Sequence, residues 1–174
     1  SHVLAPEMRT VEKAWAVAHK LLHKAAMRLR SNGLWASGIG LAIGFAVPRA
    51  QQAPVSRFGV PTHGWHRDLR LSECQDNQTL IAALRRLWDS RPASGDYDQP
   101  YFIGVQLTGL VPDRLHSLNL FDALEDTQSR TRLLAAMDQL NLKYGATALA
   151  PAAMLAAYKA APTRIAFTSI PDLF

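Results

Sequence analysis

His19 and His23 stand four residues apart in "AHKLLHK", the spacing that sets two imidazoles on one face of a helix and can hold a metal ion. Lys20 and Lys24 flank them and no acid stands near, so the pair lacks the anionic ligand that would complete a site. His63 and His66 in "HGWH" offer two more ring nitrogens, again with no cysteine or carboxylate cluster beside them; contact with phosphate or solvent suits them better. Asp96 and Asp98 in "GDYD" have the form of a Mg²⁺-holding pair, but between Gly95 and Pro100 they read as a solvated turn. "GIGLAIG" spaces its glycines one residue too far for a dinucleotide fingerprint and lies within a strand pattern, not at a strand-to-helix turn. GxSxG, P-loop and HExxH motifs are absent. No catalytic set and no metal ligands are assigned.

The chain has 174 residues, 48% of them hydrophobic and 19% charged, enough for a packed core in one domain, or in one domain with an extension. The formal charge of +5 and a pI near 9.7 fit a nucleic-acid partner and equally an ordinary soluble protein. Cys74 is the only cysteine, which rules out an internal disulfide or thiolate zinc site and suits a reducing, cytoplasmic setting. "SHVLAPEMRT" lacks the apolar stretch of a signal peptide. The apolar run Gly33–Val47 falls short of the roughly 20 residues of a membrane helix, and its glycines favour a strand. No membrane association is expected.

Residues 10–31 repeat apolar side chains at Val11, Trp15, Ala18, Leu22, Ala25 and Leu29, a helical stripe with Thr10 as N-cap and Asn32-Gly33 as its end. The other face, with Lys13, His19, Lys20, Lys24, Arg28 and Arg30, is expected to be basic and solvated. A strand follows in strict alternation: Trp35, Ile39, Leu41, Ile43 and Phe45 on one side, Ala36, Gly38, Gly40, Ala42 and Gly44 on the other. Residues 48–62, with three prolines, read as a long loop. "GWHRDLRLSE" is a second strand, with Trp65, Arg67, Leu69 and Leu71 opposed to His66, Asp68 and Arg70. A second amphipathic helix runs through Leu80, Leu84, Leu87 and Trp88, and "YFIGVQLTGL" is a third long strand. With a short strand at Val3-Leu4, the order predicts an α+β fold: a four-stranded, mostly antiparallel sheet with two helices on one face. Beyond Pro112 the composition shifts to a helix through Leu133, Leu134, Met137, Leu140 and Tyr144, ended by Gly145, then an Ala-rich stretch leaning to helix after Pro151. The predicted division is 1–112 and an extension, 113–174.

The side of the sheet away from the helices is almost bare backbone along its glycines. Arg49 and Arg57 in the loop, and Arg67 and Arg70 on the second strand, surround it. Such a surface lets a phosphate backbone approach closely while arginines and backbone N–H groups hold it. The competing expectation is that this face packs on another domain or on the extension.

Four segments in order, "HVLAPEMRT…LLHKAAMRLRSNG", "YFIGVQLTGLVP", "LNLFD" and "LLAAMDQLNLKYG…APTRIAFTSIPDL", resemble the C-terminal part of bacterial Y-family translesion DNA polymerases of the UmuC-like (ImpB/MucB/SamB) branch. The resemblance covers nearly the whole chain. It implies that residues 1–112 form a little finger domain gripping primer–template DNA, with His66, Arg67, Arg70 and Gln106 on the sheet and Arg49 and Arg57 in the loop as DNA contacts. It further implies that the Mg²⁺-binding palm and the thumb precede Ser1, so that this piece needs no cofactor of its own, and that the parent acts in DNA repair and the SOS response. Family members often carry arginines around the "IGV" of the last strand. Tyr101, Phe102 and Gln106 stand there instead, so that strand should grip phosphate less.

"SLNLF" at Ser117, Leu118, Asn119, Leu120 and Phe121 is similar to the short peptide with which bacterial proteins bind the sliding clamp, serine replacing the usual glutamine. Leucine and phenylalanine would fill an apolar pocket while extended backbone supplies hydrogen bonds; alternatively, Leu120 and Phe121 staple the next helix to the sheet. Two further functions stay open. One is an interaction module of a catalytically inactive relative that scaffolds repair proteins. The other is an RNA-binding domain, for which only Phe102 offers a stacking ring on the exposed face.

Overall fold

The computed structural model describes residues 1–46, 62–92, 99–116, 124–145, 148–150 and 152. They form an α+β fold as predicted. The chain runs β1 (His2–Val3), α1 (Val11–Ser31), β2 (Leu34–Ala46), β3 (Thr62–Cys74), α2 (Asn77–Asp89), β4 (Pro100–Pro112) and α3 (Leu124–Tyr144). The four strands pair antiparallel in the order β1-β4-β2-β3. β1 forms one residue earlier than the sequence suggests, and Leu4 N–H still donates to the Tyr101 carbonyl at 2.6 Å.

Local chemistry sets the helix ends. Extended Thr10 accepts a hydrogen bond from the Lys13 N–H at 3.3 Å, with Glu12 in the first turn of α1 and Arg28 and Arg30 in the last, signs that complement the helix dipole. Gly33, at φ +61°, takes the left-handed turn that leads straight into β2. Asp76 Oδ1 caps α2 by accepting from the Thr79 N–H at 2.8 Å.

Between the sheet and α1 and α2 lies the core: Ile39, Leu41, Ile43 and Phe45 of β2, Ile103 of β4, Val17 and Leu22 of α1, and Leu80 and Leu84 of α2. Burying each large side chain contributes about 1.5–3 kcal/mol, so one truncation such as Ile39→Ala should cost roughly 2–5 kcal/mol. Trp65, Leu69 and Leu71 extend this layer along β3.

Two expectations need correction. The supposedly solvated face of α1 is largely covered: His19, Lys20 and His23 are buried, because α1 lies against the sheet and α2, and α3 docks on its end. Charge alone misread that face, since a central helix with neighbours on several sides has little solvent side left. On α3, Leu133, Leu140 and Tyr144 are exposed, and the docked side is marked by Leu134, Asp138 and Asn141. A polar interaction orients this helix: Arg30 Nε and Nη2 donate to Asp138 at 2.6 and 2.9 Å, while its Nη1 donates to the Gln75 carbonyl and Asn77 Oδ1. No apolar periodicity reports such a contact.

Candidate nucleic-acid interface

The register of three strands assembles the open face. From β3, Arg70, Asp68 and His66 pair with Gly38, Gly40 and Ala42 of β2. From β4, Thr108, Gln106 and Gly104 pair with the same three residues. Alternation turns all of these away from the helices, because their neighbours Ile39, Leu41, Leu69 and Leu107 belong to the core layer. A shallow groove of about 760 Å³ results, lined by Ser37, Asp68, Arg70, Gln106 and Thr108 over Gly38.

The glycine stripe is less bare than its sequence implies. A Cβ at Gly40 would collide with the Asp68 carboxylate and the Gln106 amide, one at Gly38 with the Thr108 hydroxyl, and one at Gly44 with Phe102 and Tyr101. Side chains from the flanking strands therefore lean inward over β2, and glycine is needed there to give them room. What meets a ligand is this roof of polar side chains, not naked backbone.

Electrostatically the roof is mixed. Asp68 Oδ1 lies 3.3 Å from His66 Nε2 and accepts from Gln106 Nε2 at 3.4 Å; His66 and Asp68 are about half exposed. Arg70, exposed at the groove edge, makes no hydrogen bond or ion pair among the described residues. The structure thus brings His66, Arg70 and Gln106 together. Arg67 is separated from them: it pairs with Leu41 and shares the helix-side face, exposed only because β3 is the sheet edge. The alternation visible in "WHRDLRL" already carries that division. Arg49 and Arg57 lie outside the described residues, as does the Ser117–Phe121 motif.

The chain leading to that motif is fastened in a way sequence reasoning missed. The His116 ring stacks on Trp35 at 3.4 Å and 9°, its Nδ1 lies 2.7 Å from Glu73 Oε2, and Trp35 Nε1 donates to Asp113 Oδ1 at 2.7 Å. These four residues come from three separate parts of the sequence, and no local motif links them.

His19 and His23 face the interior. His19 Nε2 and both ring nitrogens of His23 are buried without a hydrogen-bond partner, and burial holds both rings below the usual histidine pKa, with Arg85 lowering His19 further. For His23, Arg30 also lowers the pKa while Asp138 opposes it. Among the described residues, no three His, Cys, Asp or Glu side chains stand together as a metal site; Asp96 and Asp98 lie outside them. Burial pushes the Cys74 thiol up to about 12, which makes it a core residue and not a nucleophile. No described helix is long and apolar enough to cross a membrane.

A family model described as the impB/mucB/samB family C-terminal domain matches residues 1–120, which include the whole sheet, α1 and α2. The chain belongs to this family. It is the C-terminal domain of a Y-family polymerase of DNA damage bypass, and DNA binding comes with the family. Among curated proteins, none matches the chain.

Proposed function

We propose that residues 1–112 hold the backbone of primer–template DNA against the open sheet face, with Arg70 as the phosphate contact and His66, Gln106 and Thr108 as hydrogen-bonding partners. The 48–62 loop would add Arg49 and Arg57. One observation supports this reading: the α-helices α1, α2 and α3 lie on the opposite side, so among the described residues no α-helix covers the groove bearing these residues. Polar side chains at a shallow groove, with one unpaired arginine, suit a phosphate chain better than a small molecule. Polymerisation and its Mg²⁺ chemistry belong, in this reading, to a palm domain outside this chain.

In the same reading residues 113–174 are an extension, and "SLNLF" within it recruits a bacterial sliding clamp. Support comes from the match of Leu118, Leu120 and Phe121 to the apolar positions of clamp peptides. It also comes from the firm seating of His116 immediately before them. The scaffold alternative draws on one observation, the exposed Leu133, Leu140, Leu142 and Tyr144 of α3.

Titration of labelled primer–template tests the DNA assignment. Arg70→Ala should lower the slope of log K against log salt by about 0.9, the loss of one phosphate contact, while Arg67→Ala should change it little. Equal effects of the two, or none from Arg70→Ala, would move the DNA off this face. Clamp binding is checked separately with the Leu120→Ala/Phe121→Ala pair, which should abolish saturable association with purified clamp; retained binding would return both residues to a packing role.

A further inference from the structure

His19 and His23 are 5% and 4% exposed, and His19 Nε2 and both ring nitrogens of His23 have no hydrogen-bond partner among the described residues. Four residues apart on α1, the two rings lie on one side of the helix. Each of these buried atoms has given up water, and a polar atom that receives nothing in return destabilises the fold. A cluster of them calls for a small polar partner.

The space for one is at hand. His19, Leu22 and His23 of α1 and Asn77 and Ile81 of α2 line a cavity of about 10 Å³ between the helices. That is roughly the room a single water needs, and too little for an organic ligand. We propose that one water sits there and bridges His19 and His23 to Asn77.

Hydrogen-bond counting supports water. Burial holds both imidazoles below the usual histidine pKa, so at neutral pH each ring has one N–H donor and one bare acceptor nitrogen. One ring donates to the water oxygen, the other accepts a water proton, and the second water proton goes to Asn77 Oδ1. That oxygen already accepts from Arg30 Nη1 at 3.0 Å and has a second lone pair to offer. Three partners fall within the two to four that an internal water has, and one His23 nitrogen stays unmatched. A metal cation finds worse conditions in the same place. Arg85 near His19 and Arg30 near His23 repel it, and the carboxylate of Asp138 is engaged by Arg30.

The water extends what Arg30 connects. A polar chain then runs from Asp138 of α3 through Arg30 of α1 and Asn77 of α2 to the two histidines. The contact that docks α3 and the interior of the helix layer thereby belong to one network. It lies on the helix side of the sheet and is independent of whether the open face binds DNA.

Water-selected NOE spectra of the full chain, with isotope-labelled histidine, test this. The carbon-bound ring protons of both His19 and His23 should show cross-peaks to water. His19→Leu should abolish the cross-peak at His23 as well, because the water then keeps too few partners. A crystal structure should show one solvent peak within roughly 2.6–3.2 Å of a nitrogen of each ring. No water cross-peak at either ring of the wild-type chain would overturn the proposal, as would a His23 cross-peak that survives His19→Leu unchanged. A peak with anomalous scattering at the zinc edge would make this a metal site instead, and a protein side chain filling the cavity would leave no place for the water.

Discussion

Asp68→Asn isolates the least expected feature of the open face, a carboxylate in the middle of a surface meant for phosphate. Asparagine keeps the size and the acceptor that Gln106 uses, so the roof over Gly40 stays in place and only the charge changes. A phosphate held by Arg70 would sit on the order of 7 Å from that carboxylate. At such a distance the unscreened repulsion is about 0.6 kcal/mol in bulk water and roughly double at half that dielectric. Screening over a Debye length of about 8 Å trims each contact, but more than one phosphate lies within range. Removing the charge should therefore favour binding by about 0.5–1 kcal/mol, a two- to fivefold tighter Kd. Fluorescence anisotropy of a labelled primer–template at about 0.1 M salt reads this directly, and the gain should shrink as salt rises. Asp89→Asn, on α2 and paired with Arg85, serves as a control of equal charge change and should move Kd by less than half as much. Unchanged or weaker binding by Asp68→Asn in a folded protein would refute the reasoning, because it would mean that no phosphate approaches this groove.

Arg30→Met should cost about 3 kcal/mol in urea unfolding, since it strands a largely buried Asp138 and frees the Gln75 carbonyl and Asn77; with Asp138→Asn in a double-mutant cycle the coupling should be about 2 kcal/mol. A coupling under about 0.5 kcal/mol would mean that α3 is held by something else. Stability should also depend on the buried histidines. His19 and His23 have folded-state pKa values below the ordinary 6.5, so the unfolded chain takes up protons first as pH falls. Their contribution is thus complete above about pH 7, declines as pH drops through 6.5 toward the folded values, and is level below those. Thermal unfolding at pH 7.5 and 5.5 should show a lower midpoint at the acid end. His23→Leu, which removes two unpartnered ring nitrogens, should flatten that dependence and raise stability at pH 5.5; a steeper dependence would contradict the burial argument.

Much of this fold is legible in the sequence because its elements keep one period over most of their length; in β2 the expected sides hold from Gly38 on, while a register shift between Ala36 and Gly38 reverses them before it and puts Ala36, not Trp35, in the core. β2 shows the point: Ile39, Leu41, Ile43 and Phe45 alternate with glycine and alanine, and the structure buries the first set in the core and turns Gly38, Gly40 and Ala42 to the open face. Caps at Thr10 and Asp76 are equally local, needing only a side-chain oxygen and an N–H three residues on. What the sequence hides is long-range and polar. Nothing in "RLRSNG" says that Arg30 will meet a residue 108 positions later, or that His116 will stack on Trp35. The candidate site falls between these cases. Its membership is a matter of parity and was readable, Arg67 included, but the inward lean of Asp68 and Gln106 over Gly40 depends on register between three strands, which pairs residues far apart in the chain.

The two sides of the sheet have separate fates, and the separation follows from where the apolar surface goes. β2 spends its large residues on one side and leaves glycines on the other, so helices α1 and α2 can gain burial only on the first. α3 then meets a helix layer that already exposes Trp15, Ile81 and the Arg30 side chain, and docks there because the open face offers it no apolar patch of comparable extent. As docked here, α3 therefore does not compete with a phosphate chain for the groove around Arg70. A change that weakens α3 docking, such as Asp138→Asn, should for this reason leave primer–template affinity within about twofold, equivalent to roughly 0.4 kcal/mol. A large loss of DNA binding in that variant would show the two sides to be coupled, and would place part of the grip on the helix layer or the extension.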